Sequence, residues 1–339
     1  MSKEEEINII REINILIEKS KNILILSHEN PDGDSIGSSL AMYSYINSTN
    51  TNVKIYFPNS IPKAYSFLQS SSEINIFNDS KKNDIENADL IIILDVNAYH
   101  RIGKIGEILE DLNNNSINKN IILIDHHINP KINATISLID ENSSSTGELV
   151  YKVLEANDRF QMNKNIAECI YTAILTDTGG FRHNSTTKTS HILASELLQF
   201  GIDITEIYNN IYNQMPINIL HILGRAFLSS KLYHEGKLNI MYLTENDLDE
   251  FNVIPEELNN FSETTLNVKN VLAGVFISKH KSNNYYKLSF RSRGNIDIRS
   301  IALQYNGGGH FNAAGGKEYN LNLPDLIKDI VEKTKLIFK

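Results

Sequence analysis

Three short aliphatic runs constrain this chain more than any other feature, because each ends at a side chain able to bind a cation or carry a proton. Residues 23–26 lead into His28, residues 90–94 into Asp95, and residues 121–124 into Asp125-His126-His127. Runs without polar alternation suit strands buried on both faces of a parallel sheet, and such sheets present ligands at their strand carboxyl ends. Apolar residues at helical spacing in 4–20, 36–46, 146–154 and 166–176 alternate with these runs and with a further strand at 53–57. The pattern predicts an open α/β domain with helices on both faces of a parallel sheet.

The first strand ends in His28-x3-Asp32-x-Asp34, with Pro31 and Gly33 turning the backbone so that the three side chains can converge. One imidazole and two carboxylates suit a hard or borderline divalent cation, since nitrogen and oxygen donors favour Mn, Fe, Co, Zn or Mg. The competing reading is an ordinary turn whose carboxylates cap the next helix. The acids and imidazoles ending the two later runs favour a gathered site, with Asp95 placed to meet Asp32 and Asp34. A fourth contribution comes from Asp177, at the end of the helix at 166–176 and ahead of Gly179-Gly180, which stop that helix. Alone, Asp177 would be read as solvent-facing; in this company it is read as a ligand.

At 339 residues the chain exceeds the length at which one core usually stops growing. Beyond Phe181, helical patterns at 187–199, 204–212 and 217–229 give way to strand patterns at 237–243, 271–278 and 285–290, then a helix at 296–305. The expected division is a catalytic domain at 1–190, a helical linker at 191–224 and a smaller α/β domain at 225–339. In that second domain, Arg291 and Arg293 stand at a strand end, and Gly307-Gly308-Gly309-His310 follows. Consecutive glycines allow close backbone approach to an anion, and arginines bind phosphate in a bidentate manner, although a plain turn and a solvated edge are the alternatives.

A net charge of −9 argues against a grip on long nucleic acid, which uses an extended basic surface, but leaves room for a small phosphorylated ligand. The single cysteine, Cys169, excludes an intrachain disulfide and a cysteine-rich zinc site, and reads as a core residue of a helix. The first residues lack a basic start followed by an apolar run, and no stretch reaches the roughly 18 apolar residues of a membrane span. A cytoplasmic protein with no membrane partner is the expectation. The asparagine run at 113–115 is read as compositional bias.

Taken together, H-x3-D-x-D, a strand-terminal Asp, Asp-His-His, a helix-borne Asp and Gly-Gly-Gly-His resemble the DHH family of phosphoesterases, in its two-domain DHH–DHHA1 branch. That branch includes nanoRNases with pAp phosphatase activity and stand-alone cyclic-di-AMP phosphodiesterases. The resemblance spans essentially the whole chain. It implies one cation held by His28, Asp32 and Asp95 and a second by Asp34, Asp95, His126 and Asp177, with Asp95 bridging. It further implies that Asp125 orients the imidazoles, that His127 faces the substrate phosphate, and that Arg101 serves as a structural or phosphate contact. The implied cofactor is a pair of Mn2+ ions, with Mg2+ or Co2+ as alternatives; cations about 3.5–4 Å apart can activate a water for in-line attack. Arg291, Arg293, Gly307, Gly308, Gly309 and His310 would hold a terminal phosphate or the adjoining nucleotide. His100, His183, His191, His221, His234 and His280 fall outside the motifs and are assigned to surface or packing.

The implied activity is hydrolysis of dinucleotides, pAp and very short oligoribonucleotides (nanoRNA, pApA, pGpG) to nucleoside 5′-monophosphates. A dedicated cyclic-di-AMP phosphodiesterase and a pAp phosphatase are the neighbouring alternatives, and a non-catalytic nucleotide sensor is the alternative from another class. A single-strand exonuclease of the RecJ kind would carry further nucleic-acid-binding modules, and a family II pyrophosphatase would lack Gly-Gly-Gly-His. A homodimer is common among such proteins, yet no patch in the sequence requires one.

Overall fold

The computed structural model describes residues 2–49, 51–114, 119–258, 261–280 and 284–338, without the side chains of residues 113, 114 and 280. Asn115 of the asparagine run and the side chain of His280 therefore lie outside the described residues. The chain divides into two compact units, Met1–Gln214 and Met215–Lys339.

The first unit begins with helix α1 (Lys3–Lys19), strand β1 (Asn22–Leu26), helix α2 (Gly33–Ser48) and strands β2 (Asn52–Phe57) and β3 (Ile74–Ile76). It continues through α3 (Lys82–Asn87), β4 (Leu90–Leu94), α4 (Lys104–Asn114), β5 (Asn120–Asp125), β6 (Ile136–Ile139), α5 (Thr146–Glu155), α6 (Lys164–Asp177), α7 (Lys188–Leu197) and α8 (Ile204–Tyr212). The six strands pair in parallel in the order β3-β2-β1-β4-β5-β6. All five residues of β4 are buried, as the unbroken aliphatic run requires of a central strand. One sheet face packs on a core that includes α1, α2, α5 and α6, and the other on a core from α3 and α4. The strand order reverses between β1 and β4, and loops leaving a sheet in opposite directions at such a point open a crevice for ligands.

Helix α2 lies against α6, and Gly37 is why it can: a Cβ there would collide with the carbonyl oxygen of Cys169. This close approach brings the start of α2, with Asp34, toward the end of α6, with Asp177. Cys169 itself is buried, its thiol pKa pushed up by burial.

The second unit runs through α9 (Ile217–Leu228), β7 (Lys231–Tyr233), β8 (Leu238–Leu243), α10 (Glu245–Phe251), α11 (Phe261–Thr264) and β9 (Ala273–His280). It ends with β10 (Tyr285–Ser292), α12 (Arg299–Ala302), β11 (Gly308–His310), β12 (Ala313–Glu318) and α13 (Leu323–Thr334). Its sheet is mixed, in the order β11-β12-β10-β9-β8-β7, with β8 and β9 parallel and the other pairs antiparallel.

Two expectations need correction here. The helix expected at 296–305 is only the short α12 followed by a 3-10 turn at Leu303–Tyr305. Nor is the glycine run the plain turn offered as its alternative reading, because Gly308–His310 pairs with β12. The reason lies in the partner: a Cβ at Gly307 would strike the carbonyl oxygen of Gly315, and one at Gly309, where φ is 144°, would lie 2.6 Å from that of Ala313.

Candidate metal centre

In the first unit, the loops leaving β1, β4 and β5 and the end of α6 converge. Short backbone ties hold the loops: the Ser27 hydroxyl donates to Leu94 O at 2.7 Å, the Glu29 amide to Arg101 O at 2.8 Å, and the Asp95 amide to Ile124 O at 3.1 Å. Asp95, one residue past β4, has a φ of +60°, a left-handed backbone uncommon outside glycine. Such an outlier survives only where its surroundings hold it, and here it aims a buried carboxylate into the convergence point.

Asp95 has a different neighbour on each oxygen. Its Oδ2 lies 3.3 Å from His28 Nε2, while its Oδ1 lies 3.8 Å from His126 Nε2 and 3.5 Å from His127 Nδ1. Around the first oxygen, His28 Nε2 also stands 3.8 Å from Asp32 Oδ1. Around the second, His126 Nε2 faces Asp177 Oδ2 at 3.2 Å and Asp34 Oδ2 at 3.8 Å. Three overlapping groups result, each with ligand atoms within 4.8 Å of one another: His28, Asp32 and Asp95; Asp34, His126 and Asp177; Asp95, His126 and His127.

The two imidazoles are oriented as ligands require. Nδ1 of His28 donates to Glu29 O at 2.8 Å and Nδ1 of His126 to Ser143 O at 3.2 Å, and a carbonyl can only accept. Each Nε2 is thereby left to face the carboxylates. Asp125 does not orient both imidazoles: its Oδ1 accepts from the amide and Nδ1 of His127, at 3.2 and 2.7 Å, whereas His126 is oriented by Ser143. The other oxygen of Asp125 is buried without a hydrogen-bond partner among the described residues.

The turn-and-cap reading of Asp32 also holds: its Oδ1 accepts from the Ser35 amide at 3.0 Å and caps α2. Capping leaves its side chain 55% exposed beside His28, so the residue combines both roles. Asp34 is 1% exposed and accepts two backbone amides from the first turn of α5, Thr146 N at 2.7 Å and Gly147 N at 2.9 Å. Amides at a helix start favour an anion there. Nothing in the α5 sequence pattern separates this contact from ordinary helix initiation, so the part played by Thr146 becomes visible only in the fold.

Electrostatics test whether a cation fits. Burial, with Asp95, Asp177 and Asp32 nearby, raises the pKa of Asp34 well above the carboxylate range. Burial likewise raises Asp177 to about 6, against the opposing pull of His126. Burial would lower His28, but its bonds to Asp32 and Asp95 outweigh that and raise it to about 10. In Asp32 the raising effect of burial is outweighed by the His28 bond and charge, which lower it to about 2. Among the described residues, no lysine or arginine forms an ion pair with Asp34, Asp95 or Asp177. Anions crowded together without a fixed counter-charge, facing two Nε2 atoms, form a donor set that fits divalent cations.

His127 is 34% exposed, and its pKa is raised first by the Asp125 bond, with Arg101 acting in the opposite sense. Arg101 thus lies near His127 while its carbonyl anchors the β1 loop. The histidines outside the motifs include packing groups: His191 stacks on Phe181 at 5.0 Å, and His234 donates to Val331 O at 2.9 Å. His183 is closer to the centre than expected, its Nδ1 lying 3.4 Å from the carbonyl of Asp177.

In the second unit, strand register aligns Arg291, Ala313 and His310 across β10, β12 and β11, with Ser289, Gly315 and Gly308 as the next row on that face. Cross-strand neighbours point the same way, so a half-buried arginine and an exposed histidine flank a floor of small residues. Arg291 donates to Phe290 O at 3.0 Å and Arg293 to Leu266 O at 2.9 Å. Each arginine thus has one guanidinium nitrogen engaged by a backbone carbonyl, Arg293 that of the distant Leu266.

The family model "DHH family, N-terminal domain" matches residues 22–174, and "DHHA1 domain" matches residues 236–338. The chain is 27% identical to the bifunctional oligoribonuclease and PAP phosphatase NrnA of Bacillus subtilis, over 90% of this chain and 92% of that protein. It is 29% identical to the protein of the same description from Thermus thermophilus, over 92% and 89%. The crystal structure of an exopolyphosphatase-related protein from Bacteroides fragilis superposes with a TM-score of 0.86 at 32% identity, covering 98% of each chain. The chain belongs to the DHH–DHHA1 family of phosphoesterases.

Proposed function

We propose that this protein is a two-cation phosphodiesterase that hydrolyses dinucleotides and very short oligoribonucleotides to nucleoside 5′-monophosphates, and that it also dephosphorylates pAp. The observation that carries the reading is the sharing of Asp95 between two ligand groups, one oxygen toward His28 and the other toward His126. The curated relatives, described as oligoribonucleases and PAP phosphatases over about nine-tenths of this chain, support the substrate class. His28, Asp32 and Asp95 would hold one cation, and Asp34, Asp95, His126 and Asp177 the other. The mixed imidazole and carboxylate set suits manganese, with magnesium or cobalt as substitutes. Bound there, the cations supply an activated water and neutralise charge developing on the phosphoryl group.

The remaining work falls to the chain. Asp125 holds the proton on Nδ1 of His127 and sets that half-buried ring with its Nε2 free of this bond, so an Nε2–H on the protonated ring would donate to a phosphate oxygen. In the second unit, Arg291 and His310 supply cationic and hydrogen-bonding groups over a floor without bulky side chains, suited to a phosphate or the edge of a nucleotide. Arg293 and residues 307–309 would serve the same ligand through their backbone and remaining donors.

The test is hydrolysis of pApA, pGpG, a five-nucleotide RNA, pAp and cyclic-di-AMP with Mn2+, beside an Asp95→Ala control. Turnover of the linear substrates and pAp, with the cycle untouched, is the expected result. Preferential opening of the cycle would redirect the assignment to second-messenger degradation, and no turnover of any substrate would leave a nucleotide sensor.

A further inference from the structure

The turn between β6 and α5 touches three members of the cluster at once. The Ser143 carbonyl accepts from His126 Nδ1, the Thr146 and Gly147 amides donate to the two oxygens of Asp34, and the Thr146 hydroxyl donates to Asp95 Oδ1 at 3.1 Å. The turn is itself clamped. Glu148 is buried, and its Oε2 accepts from both the amide and the hydroxyl of Ser144, at 3.2 and 2.8 Å. Ser144, Ser145 and Thr146 are fully buried, so the turn has little freedom to move.

The Thr146 hydroxyl differs from the amides because it falls on the shared carboxylate. A carboxylate free to rotate about Cβ–Cγ can present both oxygens to a single cation, as bidentate acids do. A fixed donor on Oδ1 opposes that rotation, and each carboxylate oxygen keeps a further lone pair for a ligand contact. Oδ1 therefore stays on the His126 side while Oδ2 stays on the His28 side.

We infer that Thr146 is a positioning residue whose hydroxyl keeps Asp95 divided between the two cation positions. The inference rests on the two-cation reading proposed above. Its test is calorimetric titration of Mn2+ into the chelator-stripped full chain, as wild type, Thr146→Val and Thr146→Ser. Wild type and Thr146→Ser should each take up two ions. Thr146→Val should take up one ion at near wild-type affinity and the second about 10–100-fold more weakly, the usual effect of removing a group that orients a ligand. Two wild-type ions with an unaltered Val variant would overturn this inference alone, as would a Ser variant that behaves like Val. A wild-type protein that takes up no cation would overturn the two-cation reading and this inference with it.

Discussion

At the carboxyl edge of the first sheet, Asp34 and Asp95 are almost fully buried and, among the described residues, face imidazoles and hydrogen-bond donors but no lysine or arginine ion pair; on the β10–β12–β11 edge of the second sheet, Arg291 and His310 stand half-buried and exposed among glycine, alanine and serine. The first arrangement is costly when nothing is bound, because buried carboxylates set close together repel one another, and burial with that repulsion raises the pKa values of Asp34 and Asp177. The second is inexpensive, since a guanidinium that keeps contact with water stays largely solvated and screened. A costly, preorganised cluster belongs where charge develops during reaction, and a screened, open face belongs where a ligand is gripped. Loss of groups in the first unit should thus act on turnover, and loss in the second on binding.

The sharpest way to break this contrast is Asp95→Ala. Removing the shared carboxylate disables both groups, and turnover of a five-nucleotide RNA should fall roughly 10⁴-fold or more, as happens when catalytic residues act as a unit. A variant keeping a tenth of wild-type turnover would refute a shared role. Next, His127→Gln should lower kcat by about 10²–10³-fold, the range for a lost transition-state donor, with little change in KM. A change confined to KM would place His127 with the binding groups. In the second unit, Arg291→Ala should raise KM about tenfold, equivalent to about 1.4 kcal/mol, with kcat nearly unchanged. A fall in kcat alone would erase the division of labour between the units.

The gentlest probe is pH. A carboxyl whose pKa is raised in the fold contributes stability below its unfolded pKa and loses it as pH rises through the folded value. For Asp177 that window runs from 3.8 to about 6. His28, raised from 6.5 to about 10, keeps its contribution below 6.5 and loses it as pH rises toward 10. A cation on His28 Nε2 must displace that proton, and one on Asp177 needs the ionised carboxylate, so uptake strengthens with pH. Melting curves with and without Mn2+ should show a larger stabilisation at pH 8 than at pH 5.5, of about 2.7 kcal/mol at a hundredfold excess over Kd. Equal stabilisation at both pH values would count against ligation by these two residues.

Much of this was readable from the chain. The aliphatic runs reported β1, β4 and β5 because central parallel strands must be apolar throughout, and the acids and imidazoles following them mark the sheet edge where the structure brings them together. Short or edge elements were not readable. Strand β12, Ala-Ala-Gly-Gly-Lys-Glu, has no β-branched or aromatic residue and exists because β10 and β11 pair with it. Strand β6 and helix α13 likewise escaped the pattern, and the strand at Gly308–His310 is set by its pairing with β12.

What the sequence determined by itself was the identity and order of the chemical groups, together with the hydrophobic spacing that makes strands deliver them. What only the tertiary structure decided was which group restrains which. Asp125 serves His127 and not His126, Ser143 takes that place for His126, and Thr146 reaches Asp95 across 51 residues of chain. Periodicity follows from local backbone geometry, whereas a hydrogen bond between distant residues depends on where packing sets two elements to within about 3 Å, which no local pattern encodes.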